Sequence, residues 1–179
     1  MTHPQDELLT RHLTAVWRLA RVLSRSASDA EDLVQDVFLT AWQRRADLRD
    51  PAAARAWILR ITVNTHRDGL RRRSARRRAT ERAAMDPASP VGRTTAGPAA
   101  ESGKMTRDLE RVAAEAMAAL PPRQREVLHL AAVEQLDHAA IAGILDLSPG
   151  NVRSTLSIAR GRVAEAIDAA TGQTTEASR

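Results

Sequence analysis

The chain has 179 residues, 43% of them apolar by type and 27% charged, with a formal charge of +5. That length holds one ordinary domain or two small ones, and no window approaches the roughly 18 apolar residues of a membrane span. Zero Cys excludes disulfides, a thiolate metal site and a Cys nucleophile. Asp6 and Glu7 stand where a secretory signal would need an apolar run, so a cytoplasmic, helix-rich protein is expected.

From the N-terminus, apolar spacing predicts three helices. The first runs from about Asp6 to Ser24, with Leu9, Leu13, Val16, Trp17, Ala20 and Leu23 on one face. A second opens at Ser28, where Glu31 completes a capping-box spacing. It carries Leu33, Val34, Val37, Phe38, Ala41 and Trp42 as a helical stripe. Asp50-Pro51 reads as N-cap plus first-turn Pro and starts a third helix through Trp57, Ile58, Ile61 and Leu70. Residues 84–103 collect Pro, Gly and small residues without apolar periodicity and read as a linker between two domains, 6–83 and 104–170.

Downstream the predicted helices are shorter. They cover about Met105–Ala119, Arg123–Val133 and His138–Leu145, the last capped by Asp137. A final helix starts at Ser148-Pro149 and places Val152, Leu156, Ala159 and Val163 on one stripe. Residues 171–179 are polar and are expected to be a disordered tail. No segment alternates as a strand does, and the predicted fold class is all-α.

The basic residues are 26 Arg and one Lys, Lys104, and Ala contributes 34 residues. A GC-rich coding sequence accounts for such a bias but not for its placement. Residues 1–83 carry net +7 and residues 101–179 net −2. Residues 66–82 hold eight Arg against Asp68 and Glu81, a footprint for a polyanion or else a solvated helix end.

Ala142, Asp146 and Val152 fall at the spacing of a helix-turn-helix. A small residue is needed where the helices cross, a left-handed residue in the turn and an apolar one packing back. Asp146 stands where Gly is usual, and Asp visits that backbone region at modest cost. A second helix of this kind lies in the major groove, here offering Asn151, Arg153, Ser154, Thr155, Ser157 and Arg160.

The segments DAEDLVQDVFLTAW at 29–42, AWILRITVN at 56–64, LPPRQREVL at 120–128 and IAGILDLSPGNVRSTLSIARGRV at 141–163 together resemble an extracytoplasmic-function sigma factor. Their order, spacing and intervening linker match that family's plan over most of the chain. The resemblance implies a first domain (region 2) that docks on core RNA polymerase and opens the −10 element. It implies a second (region 4) that binds the −35 element and the β flap. Asp29, Glu31, Asp32, Gln35, Asp36 and Leu39 would meet the β′ clamp helices, although the first of these acids also complement a helix dipole. Arg55, Trp57, Arg60, Asn64, Arg67, Arg71, Arg72 and Arg73 would meet −10 DNA, although the apolar neighbours Ile58 and Ile61 favour reading Trp57 as a core anchor. The loop RDPAAARA before Trp57 has no aromatic residue where many relatives carry one. An anti-sigma protein is a further implied partner; the linker would permit one to cover both domains.

No catalytic constellation is legible: there is no phosphate loop, no GxSxG and no paired metal-ligand spacing among the five His. No cofactor or metal is expected, and His129 and His138 read as packed or solvated residues. Two other readings stay open, a polymerase-independent helix-turn-helix regulator and an adaptor with a polyanion tether. The second domain, at −2, is expected to bind −35 DNA weakly by itself and to gain affinity from tethering to polymerase. Gel-shift titration of residues 104–179 tests this, and tight specific binding at physiological salt refutes it.

Overall fold

A computed structural model of the chain describes residues 10–83 and 104–176. Among these residues there is no strand, and seven α-helices form two compact units, one before and one after residues 84–103. The predicted linker, 84–103, lies outside the described residues.

The first unit contains α1 (Leu13–Leu23), α2 (Ala27–Gln43) and α3 (Ala54–Ala83). Short 3-10 turns, Arg45–Asp47 and Pro51–Ala53, stand between α2 and α3. Its core is Val16 and Ala20 from α1, Ala30, Leu33, Val37 and Ala41 from α2, and Ile58 and Ile61 from α3. Leu23, Val34, Phe38 and Trp57 are half-buried against it. Three of the eight core residues are Ala, so the helices approach closely without aromatic filling.

Three details depart from the sequence expectations. The helix at Ala27 is capped two residues earlier than Ser28: Ser26 Oγ accepts from Asp29 N at 3.0 Å, bringing Ala30 into the core. On α1 the buried face is Ala15, Val16, Leu19 and Ala20, while Leu13 and Trp17 are exposed. That face is turned by about 70° from the expected stripe, because the smaller side chains permit the close approach and Trp17 does not. On α2, Trp42 leaves the stripe for solvent. Asp50 does cap the Pro51 turn, accepting from Ala52 N at 2.9 Å, as its Asp-Pro pairing predicts.

Along α3, burial ends before the helix does. Ala54, Ile58, Leu59, Ile61, Thr62 and Val63 are buried, whereas from Leu70 to Thr80 every residue except Ser74 is exposed. The buried Thr62 hydroxyl is satisfied within the helix by donating to Ile58 O at 2.9 Å.

The second unit contains α4 (Lys104–Ala119), α5 (Pro122–Ala132), α6 (His138–Leu145) and α7 (Pro149–Glu176). Helices α4, α5 and α6 each pack on α7. Its buried residues include Val127, Leu128 and Leu130 of α5, Ile141, Ile144 and Leu145 of α6, and Val152, Leu156 and Ala159 of α7. His129 is buried, with Nε2 3.5 Å from Oε1 of the buried Glu134. The last helix continues to Glu176, so residues 171–176, expected as disordered tail, are helical.

Helices α6 and α7 form the helix-turn-helix. Asp137 caps α6 by accepting from Ala140 N at 2.7 Å. Asp146 ends it in the left-handed region, φ 58 and ψ 55, and Leu147 N donates to Ala142 O at 3.0 Å. Ser148 Oγ then accepts from Asn151 N at 3.2 Å, with Pro149 in the first turn of α7. Ala142 and Val152 are both buried, as the crossing requires.

A non-Gly residue in the left-handed region is strained, and an acid at a helix C-terminus opposes the macrodipole. Asp146→Gly is therefore expected to raise stability by about 0.5–1 kcal/mol and Asp146→Ala to lower it by about 1 kcal/mol. Thermal unfolding of the full chain measures both.

Candidate nucleic-acid interface

Three exposed helix surfaces collect the candidate residues. On α2 the buried Ala30, Leu33, Val37 and Ala41 fix one face, and the opposite face is open to solvent. At about 100° per residue, Asp29, Asp32, Gln35, Asp36 and Leu39 share that open face within about a third of a turn. All five are exposed, Leu39 by 62%. Glu31 is also exposed but lies about 100° from Asp32, at the edge of the strip. Trp42, 49% exposed, extends the strip by one turn. Arg45 lies over its ring at 4.9 Å and donates from Nη1 to Trp42 O at 2.8 Å, holding the indole at the surface. Periodicity alone had placed Trp42 in the core; the polar run Gln43-Arg44-Arg45 that follows it was the available signal.

On α3, helical geometry brings Trp57, Arg60, Asn64, Arg67 and Arg71 to one face at i, i+3 and i+4 steps. Arg60, Asn64 and Arg71 are exposed, and Trp57 is half-buried against the core while closing one end of the row. Trp57 thus has a core contact and an outward edge. Arg55 and Arg73 lie on a different side of the helix, and Arg72 lies between the two. Arg71 pairs with Asp68 at 3.3 Å, and Arg72 Nε donates to Asp68 O at 3.3 Å. Such an exposed i,i+3 pair adds little stability and leaves the guanidinium within reach of other anions.

The arginines act on two histidines. His66, half-buried on α3, is held below the ordinary histidine range, first by burial and then by the charges of Arg73 and Arg67. Asp29 of α2 opposes that shift and Arg25 adds to it. His12 is lowered first by burial and then by Arg55 and Arg11.

On α7, Asn151, Arg153, Ser154, Ser157 and Arg160 are exposed, while Thr155 is half-buried at the flank. Ser154 Oγ donates to Asn151 O at 3.2 Å. Arg162 Nη1 donates to Gln124 Oε1 of α5 at 3.1 Å, fixing one edge of the helix to its neighbour. Ile158, which side-chain polarity alone would not select, is 52% exposed among these residues. Among the described residues no group of acids and histidines is placed to hold a metal ion, and no helix is long and apolar enough to cross a membrane.

Because His66 and His12 both bind protons more weakly in the folded chain than in the unfolded one, stability rises with pH between the two values. It is complete above the unfolded value of about 6.5 and is lost as pH falls through it. Thermal unfolding followed from about pH 7.5 to about pH 5.5 is expected to show this loss. His66→Gln should reduce the slope without abolishing it, His12 supplying the remainder.

Residues 8–76 match the Sigma-70 region 2 family and residues 111–163 match Sigma-70 region 4. The probable RNA polymerase sigma factor RfaY of Xanthomonas campestris is 36% identical over 146 residues, covering 82% of this chain and 36% of RfaY. This chain therefore spans about a third of that relative. The ECF RNA polymerase sigma factor SigM of Mycobacterium tuberculosis is 32% identical over 151 residues, covering 83% of this chain and 69% of SigM. The fold is also that of the sigma factor RpoE of Bartonella quintana, solved with the anti-sigma factor NepR. The two align with a TM-score of 0.74 and 24% identity over 91% of this chain and 96% of that one. Both matched regions occur in family order, each on its own helical unit, and the chain belongs to the extracytoplasmic-function sigma factors, the specificity subunits of transcription initiation.

Proposed function

We propose that the three surfaces divide the work of a promoter-specificity subunit in the cytoplasm. The acid-and-leucine face of α2 docks on the β′ clamp helices of core RNA polymerase through Asp29, Asp32, Gln35, Asp36 and Leu39, with Glu31 at its edge. The α3 row from Trp57 to Arg71 receives the opened −10 strand, Arg60, Arg67 and Arg71 neutralising phosphates and Asn64 offering a hydrogen bond. Arg55, Arg72 and Arg73 add positive field from the neighbouring sides. Helix α7 enters the major groove of the −35 element, and the rest of its unit meets the β flap. The chain carries out no reaction of its own; it supplies specificity to the polymerase. An anti-sigma protein, of the kind seen with RpoE of Bartonella quintana, would act by covering the α2 face.

The observation that carries this reading is the solvent face of α2. A helix that buries Ala30, Leu33, Val37 and Ala41 has no structural need on its other side for Asp36, too far along to serve the helix dipole, beside an exposed Leu39 and Trp42. Carboxylates around an apolar centre suit a basic partner with an apolar ridge. A regulator acting without polymerase leaves that face without a role, and the family match does not favour it.

Asp36→Ala is expected to weaken binding to core polymerase by about tenfold or more, and Leu39→Ala to do so comparably. Neither should shift the thermal midpoint, since both side chains are exposed. Co-purification with core polymerase and run-off transcription from genomic promoters read the outcome. Full activity in both variants would sink the assignment of this face.

A further inference from the structure

On α7, Val152, Leu156 and Ala159 are buried, which fixes the direction of the opposite face. By helical geometry that face is centred on Ser154, Ser157, Ile158 and Gly161. Arg153 and Arg160 lie about a quarter-turn to one side of its centre, and Arg162 lies about a quarter-turn to the other. The surface is therefore a low polar platform between two arginine edges. Ser154 and Ser157 are short, and a Cβ added at Gly161 would meet nothing within 4 Å. Only Ile158 stands above it, 52% exposed and the one large exposed apolar side chain described on this helix.

An exposed isoleucine gains free energy only where a partner removes it from water. Between arginine edges that suit two phosphate backbones, the partner surface is a base edge in the major groove. Among the four bases, the thymine C5-methyl is the apolar group presented there. A hydrogen-bonding base edge against Ile158 would lose water without replacement, so the side chain also selects against such edges.

We infer that Ile158 is a specificity residue that packs on the C5-methyl of a thymine in the −35 element. This deepens the assignment of α7 to that element and rests on it. It makes the promoters of this chain carry T·A at one position of the upstream element, recognised by shape and apolarity. Arg153 and Arg160 contribute affinity at the groove's edge, and Ser154 and Asn151 the neighbouring polar contacts.

The test uses the full chain assembled with core polymerase. The holoenzyme first selects duplexes from a pool randomised upstream of the start site. Each thymine in the selected upstream element is then replaced singly by uracil, which removes the methyl and leaves the hydrogen-bonding edge intact. At one position the wild-type holoenzyme is expected to lose about three- to fivefold in binding, the worth of one buried methyl group. The Ile158→Ala holoenzyme should bind thymine and uracil duplexes equally, at the wild-type level for uracil, while Ile158→Val keeps part of the preference. Position 158 is exposed and Ala favours helix, so the variants should fold.

Three results overturn the inference. A wild-type holoenzyme indifferent to uracil at every position removes the methyl contact. An equal uracil penalty in wild type and Ile158→Ala places the methyl elsewhere. Loss of core polymerase binding by Ile158→Ala, regardless of DNA, makes Ile158 a protein contact. A selected pool with no upstream preference would instead strike the −35 assignment of α7 itself, and the inference with it.

Discussion

The close approach of α1, α2 and α3 over alanine is the constraint on which the first unit depends. Ala20, Ala30 and Ala41 have no exposed surface, and no aromatic ring lies in the buried cluster. A core of small and β-branched side chains leaves little room between the helix backbones, so larger residues are driven to its rim. The positions of all four aromatic residues follow from that. Phe38 and Trp57 lie half-buried at the margin, and Trp17 and Trp42 are exposed. Large rings at a surface are what recognition requires, because they offer contact area at little conformational cost. The alanine-rich core and the exposed rings on α1 and α2 are two consequences of one packing solution.

The second unit solves a different problem, the orientation of one helix. Helix α7 packs against α4, α5 and α6, and its start is set by the turn at Asp146. The left-handed backbone there is strained for aspartate, yet it directs the chain so that Val152 returns to the core. The Gln124–Arg162 hydrogen bond adds a tie from α5 across 38 residues of sequence. The exposed face of α7 is thereby presented by a fixed scaffold, which small side chains need if they are to contact bases at all.

Much of the fold was legible where a helix end is marked chemically, although α2 is capped by Ser26 and not by the Ser28 read from sequence. Asp137, Asp50 and Ser148 were identified as caps from sequence and act as caps in the structure. The left-handed turn at Asp146 followed from spacing alone. The failures were of rotation and extent. Leu13, Trp17 and Trp42 satisfy helical periodicity, but periodicity ranks side chains by polarity and ignores their size. Where the neighbouring helix offers alanine, size decides which side of a broad apolar arc is buried, and Leu19 displaced Trp17. The tail was misread because residues 171–176 are polar, and a helix already nucleated by α7 propagates through polar residues at little cost. Of the candidate site, residue identity was visible but grouping was not. Arg55 and Arg73 were bracketed with Arg60, Asn64 and Arg67, and only the continuous helix α3 shows that they point to another side.

The distribution of charge connects the two units. Net +7 on residues 1–83 against −2 on residues 101–179 means that non-specific attraction to phosphate resides almost wholly in the first unit. A base-reading helix that also carried strong positive charge would hold any duplex, and its discrimination would be masked by that background. With few arginines on α7 and short polar side chains between them, the DNA binding proposed there would draw more on the fit of base edges than on charge, leaving mismatches uncompensated. Under the proposed function the arginine row of α3 would act on DNA that must be opened, where strong sequence-independent attraction stabilises a strand whatever its bases. Affinity placed on one unit and discrimination on the other would suit the proposed subunit, which finds promoters while attached to polymerase. That attachment would supply the local concentration that the weakly charged helix-turn-helix lacks.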